Sequence, residues 1–187
     1  MRQRRRGSTL KGFSLRTSEL MSVCQFPPPG RFWIFLTDLH EPKENSLRVA
    51  VAEAITSIPK EEISAPASLW APIIITPDSR RFELVWKSYV GYLVRNESFV
   101  IPDNKSEHRA CGVFLERKSS VYLRFLEETT FATSVIQKPM RHWEIHCLNH
   151  CVDVVSFDEP IIREIDDIEE RLSPLSRIPA SSTDIQS

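Results

Sequence analysis

Apolar and polar positions change their beat several times along this chain. Phe32-Trp33-Ile34-Phe35-Leu36 is short, aromatic and apolar, which predicts a buried strand. Leu47, Val51, Ala54, Ile55 and Ile58 then recur at helical spacing, with Asn45 or Ser46 as cap and Pro59 as stop, predicting a helix with one apolar face. Four prolines punctuate 59–77, so Ile73-Ile74-Ile75 is at most a short or edge strand. Phe82, Leu84 and Trp86 alternate with Glu83, Val85 and Lys87, the pattern of a half-buried strand. A tight turn at Lys87-Ser88 and a second strand over 89–99 follow.

Residues 102–109 read as a polar loop and 112–117 as a strand. Ser119 or Ser120 caps a helix in which Tyr122, Phe125, Leu126 and Thr129 share a face. Residues 131–139 form a loop. The stretch 141–157 reads as extended chain, because Trp143, Ile145, Val152, Val154, Val155 and Phe157 favour strand and no cap precedes them. Pro160 then opens a final helix, with Ile161, Ile165, Ile168 and Leu172 on one face. These elements predict an α+β domain: a mostly antiparallel sheet with about three helices packed on one face. The domain is expected over 31–172, between a disordered basic tail (1–30) and a disordered Ser/Pro-rich tail (173–187).

Composition narrows the function classes. Among 187 residues, 41% are apolar and 26% charged, a globular balance. The formal net charge of −1 supplies no field to draw nucleic acid or an anionic membrane. The arginine-rich start lacks the apolar segment of a secretory signal; disorder, a targeting peptide or a nucleic-acid arm remain open there. The four cysteines form no CxxC pair, which suits a reduced, cytoplasmic setting. No apolar run approaches the roughly 20 residues that span a bilayer.

The chemistry-bearing side chains crowd into 141–162. On a helix, His142, His146 and His150 would stack one turn apart and could hold zinc. On a strand they spread, and only residues two apart, such as His142, Glu144 and His146, converge. The spacing matches no zinc template, so no metal is expected. Asp153 lies within an apolar run and needs a partner, with Arg95, Arg141 and His150 as candidates. Asn96-Glu97-Ser98 is a second polar group, and Glu97 with His142 or His150 could form an acid/base pair. No GxSxG elbow and no glycine-rich phosphate loop is present, so no cofactor and no catalytic residue is assigned. Cys147 reads as a small buried residue.

FELVWKSYVGYLVRNESF (82–99), VYLRFLEETTFA (121–132) and HWEIHCLNHCVDVVSFDEPII (142–162) resemble a family of small bacterial proteins with no assigned activity. The resemblance covers 69–165 and is carried by Asn96-Glu97-Ser98-Phe99 and by Cys147-Leu148-Asn149-His150 followed by Asp153-Val154-Val155. It implies a bacterial, soluble, single-domain protein and no mechanism. An aliphatic residue usually stands where this chain has Cys151, which argues against Cys151 as a ligand.

The reading is a non-enzymatic protein-binding module of immunity or regulatory accessory type. Its binding residues are expected among Asn96, Glu97, His142, Asn149, His150 and Asp153. Its partner is expected to be another protein rather than nucleic acid or a membrane. The alternative is a metal-assisted or acid/base hydrolase using Glu97, His142, His150 and Asp153.

Overall fold

A computed structural model describes residues 20–22, 25–26, 33–56, 72–101 and 108–166. Their strands, in chain order, are β1 (Leu20–Met21), β2 (Ile34–His40), β3 (Leu47–Glu53), β4 (Ile55–Thr56), β5 (Ile73–Ile74), β6 (Arg81–Trp86), β7 (Gly91–Asn96), β8 (His108–Cys111), β9 (Phe114–Arg117), β10 (Arg141–His146), β11 (His150–Ser156) and β12 (Ile161–Ile165). The helices are α1 (Val121–Thr129) and α2 (Ala132–Val135), both between β9 and β10.

The strands build two five-stranded antiparallel sheets, ordered β1-β12-β6-β3-β2 and β7-β11-β10-β9-β8, and a β4-β5 ribbon. One core joins the two large sheets. Leu47, Val49, Val51, Phe82, Leu84, Trp86 and Ile162 of the first pack with Phe114, Trp143, Ile145, Val152 and Val154 of the second. Phe26 is fully buried between them, edge-on to Phe82 at 5.2 Å and to Phe114 at 6.0 Å, and Phe114 stacks on Trp143. Phe26 and the β1–β12 pairing therefore bring parts of the span read as a tail into the packed structure; residues 1–19, 23–24, 27–30 and those after 166 lie outside the described ones. No helix among the described residues is long and apolar enough to cross a membrane.

This architecture corrects the α+β expectation, since α1 has nine residues and α2 four. The helix expected over 45–58 is β3 and β4. Leu47, Val49 and Val51 alternate with Arg48, Ala50 and Ala52, and all six are buried, so β3 is covered on both faces and hides the period of two. Asn45 has φ 61°, the left-handed geometry of a turn rather than a helix cap, and Ser46 Oγ closes that turn on Lys43. Arg48 tolerates burial because Glu83 and Asp38 bond its guanidinium. The helix expected after Pro160 begins as β12, in which Ile162 and Ile165 are buried and Ile161 is partly exposed. The ordering contacts of β12 are ladder pairs to β6, which sequence spacing does not display.

Other expectations need smaller corrections. β6 and β7 flank Lys87-Ser88 but belong to different sheets, so the link crosses between layers instead of closing a hairpin. The stretch 141–157 is not one run. Residues 147–149 form a turn, and β10 and β11 pair from Arg141↔Ser156 to His146↔Cys151. Strand β8 occupies part of the loop expected over 102–109 and joins β9 through Gly112, whose φ of 61° suits glycine. The capped helix is present as α1, with Ser120 as cap. Its buried residues are Leu123 and Leu126, while Phe125 faces outward.

Candidate functional site

Side chains alternate across the β10–β11 hairpin, so one of its faces is core and the other is polar. Trp143, Ile145, Val152 and Val154 point into the sandwich. His142, Glu144, His146, Cys151 and Asp153 share the outer face, with Arg95 and Leu93 of β7 and Arg117 and Leu115 of β9 in register beside them. Helix α1 lies over the upper part of this face, where Leu123 and Leu126 pack with Val155, Phe157 and Met140. Gly91 lies opposite Val155 and leaves room for the helix: a Cβ there would lie 2.9 Å from Tyr122 Oη and 3.1 Å from Leu126 Cδ1.

Between helix and sheet is an open cleft of about 460 Å³. Its floor is Arg95, Arg117, His142, Glu144 and Asp153, and its walls are Leu93, Ile101, Ser120, Val121, Tyr122 and Phe125. The floor is one ionic lattice. Arg95 Nε and Nη2 donate to both oxygens of Asp153, at 2.9 and 3.1 Å, and Nη2 also reaches Glu144 at 3.1 Å. Arg117 Nε donates to Glu144 at 2.5 Å. His142 Nε2 meets Asp153 Oδ1 at 3.0 Å, and its Nδ1 meets Ser120 Oγ at 2.7 Å. Removing one charge from such a buried set exposes its partner to the full cost of desolvation.

The titration behaviour follows from this packing. Burial pushes the Glu144 carboxyl up, but the His146 imidazole beside it and the hydrogen bond from Arg117 outweigh it and hold the group down at about 2. The Cys151 sulfur, 3.7 Å from His146 Nδ1, and the Glu144 carboxylate, 3.4 Å from Nε2, raise His146 to about 9 against the opposing effect of burial. The raised arginine value at Arg95 has the same origin, the Asp153 and Glu144 charges exceeding the burial effect.

The six expected binding residues are divided by the fold. Only His142 and Asp153 meet and line the cleft. Asn96 caps a short 3-10 turn at 97–99, accepting from the Ser98 amide, and Glu97 is exposed within that turn. His150 stands opposite Asn96 at the far end of β11, where its Nδ1 is buried without a hydrogen-bond partner. Asn149 is a clamp: its side chain donates to the Leu36 carbonyl and accepts from the Leu36 amide, tying the hairpin turn to β2 of the other sheet. The acid/base pairing of Glu97 with a histidine is therefore not formed, and the four-residue hydrolase set does not assemble.

Of the three candidate partners for Asp153, Arg95 is the one that meets it. His142 takes the place expected of His150, while Arg141 pairs with Glu116. Arg117, Ser120 and Tyr122 were not foreseen as cleft residues. The alternation of His142, Glu144 and His146 was a usable signal for the shared face, but nothing local shows that α1 caps it. Among the described residues, no group of three or more His, Cys, Asp or Glu could hold a metal ion. No protein-family model, curated protein or solved structure matches the chain.

Proposed function

We propose that the protein is a recognition module of accessory or regulatory type, and that the cleft rim is where a partner protein docks. The observation that supports this is the contrast between floor and rim. The floor charges are bonded to one another, whereas Ile101, Val121 and Phe125 on the rim are 88%, 72% and 54% exposed. Phe131 and Val135, just beyond α1, are also exposed. Clustered exposed apolar side chains around a polar floor are unfavourable in water and are characteristic of surfaces that another molecule covers. The fixed floor adds a pre-organised pattern of charge, which favours specificity over bulk affinity.

The reading is tested by placing a photo-crosslinking amino acid at Phe125, at Val121 and at the remote Lys43 in cells that make the protein. One partner crosslinked from 125 and 121 but not from 43, whose binding in purified form is lost in Phe125→Asp with thermal stability retained, supports the reading. Crosslinking that does not distinguish the three positions, or undiminished binding by Phe125→Asp, refutes it.

A further inference from the structure

Ser120, His142 and Asp153 form an unbroken hydrogen-bonded chain that ends in the cleft. A carboxylate can only accept, so His142 Nε2 carries a proton and donates it to Asp153. In the neutral ring Nδ1 is then an acceptor, and the Ser120 hydroxyl is the donor that faces it. His142 and Asp153 are almost fully buried, while Ser120 is partly exposed at the cleft wall. Arg95 grips both Asp153 oxygens, and Tyr122 packs edge-on to the imidazole at 5.8 Å, so the chain is held in place.

Ser120 is also the N-cap of α1, its Oγ accepting from the Leu123 amide at 2.9 Å. A capping serine needs no histidine, and a buried histidine needs only one partner. The cap alone does not account for a carboxylate, an imidazole and a cleft-lining hydroxyl in series. The position adds electrostatic help. The first-turn amides of an α-helix lack intrahelical partners, and its dipole favours negative charge there. An oxyanion forming beside Ser120 would meet the amides of Val121 and Tyr122.

We propose that Ser120 is an acyl-accepting nucleophile and that the cleft hydrolyses esters with an apolar acyl group. Ser120 Oγ adds to the ester carbonyl carbon as its proton passes to His142 Nδ1. The carbon–alkoxy bond breaks, and His142 returns the proton to the departing alcohol. Water then gives a proton to the same nitrogen and attacks the acyl-serine; the bond from the acyl carbon to Oγ breaks, Nδ1 returns the proton to Oγ, and the carboxylic acid leaves with Ser120 restored. The ring is turned relative to the usual triad, in which serine meets Nε2 and aspartate Nδ1; proton transfer requires only a lone pair aimed at the hydroxyl. Leu93, Val121 and Phe125 provide apolar walls for the acyl chain.

This goes beyond the recognition reading and fails independently of it, because a small reagent needs no docked partner. The full chain is treated with an alkyl fluorophosphonate and, separately, with p-nitrophenyl butyrate. Ser120→Asn is the comparison, since asparagine keeps a capping oxygen for the Leu123 amide but removes the nucleophile. The expected result is one phosphonyl group per chain on Ser120, none in Ser120→Asn, and ester turnover about 100-fold above that variant. His142→Gln should lose labelling as well. A folded wild-type chain that stays unlabelled at Ser120, or that turns over the ester no faster than Ser120→Asn, overturns the proposal.

Discussion

Replacing Glu144 by glutamine should destabilise the fold by an amount that depends on pH. Glu144 is 5% exposed and is bonded to Arg117 and Arg95, with His146 nearby. Its carboxyl titrates at about 2 instead of 4.5. That difference corresponds to about 3 kcal/mol of stability at neutral pH. The folded value is depressed, so this contribution is complete above pH 4.5 and is lost as pH falls through 2. By pH 3 about 2 kcal/mol of it should be gone. Glutamine removes the charge and turns an amide donor toward a guanidinium, so the buried Arg117 and the nearby Arg95 both lose the Glu144 carboxylate. Urea unfolding of both proteins at pH 7 and pH 3 gives the measurement. The gap should be about 3 kcal/mol at pH 7 and should narrow sharply at pH 3, the other carboxylates largely cancelling in the difference. A gap below about 1 kcal/mol at pH 7, or one equally wide at pH 3, would refute the argument that Glu144 holds the lattice together. The same lattice acts on the alkaline side. His146 is raised to about 9, so its contribution is present below 6.5 and fades as pH rises through 9. In Glu144→Gln that midpoint, followed by NMR, should move back toward 6.5.

Two further outcomes probe the packing. Gly91→Ala should lower the melting temperature by a few degrees, about 1 kcal/mol, because the added methyl meets Tyr122 and Leu126 and pushes α1 outward; an unchanged melting curve would show that the helix is not seated as described. Cys147 is 3% exposed, and burial, with the nearby Cys151, raises its thiol to about 12. Iodoacetamide at pH 8 should therefore spare it in the native protein and modify it once urea unfolds the chain. Native-state alkylation at the rate of a free thiol would contradict that burial.

The sequence was legible where one physical signal dominated. Phe82, Leu84 and Trp86 alternate cleanly because the second face of β6, though also buried, is filled by charged side chains, among them Glu83 paired to Arg48 and Arg163. Helix α1 shows its cap, but not its buried face, which is Leu123 and Leu126 rather than the stripe through Phe125 and Thr129. Legibility failed where burial is two-sided or where tertiary pairing decides. In β3 the alanines at 50 and 52 are buried like the valines at 49 and 51, so a helical reading of Leu47, Val51 and Ala54 fits equally well. The acidic residues near β12 gave Ile161 and Ile165 the look of a helix stripe, although the strand is selected by its ladder to β6. For the site, periodicity placed His142 and Glu144 on one face but could not reveal the turn at 147–149. That turn brings Cys151 across from His146 and Asp153 across from Glu144. The seat of α1, which adds Ser120 to the cluster, depends on a glycine thirty positions earlier in the chain.

The Asn149 clamp has a consequence for biogenesis. It joins Leu36 to a residue 113 positions later, so β2 acquires this anchor only after most of the chain has been synthesised. During translation β2 can pair with β3, but its second attachment must wait for the hairpin turn to leave the ribosome. Contacts of such wide separation slow folding. The interval leaves the apolar strands of the first sheet uncovered, so a nascent chain stalled before position 147 should depend on chaperones more heavily than one stalled after β12 has emerged.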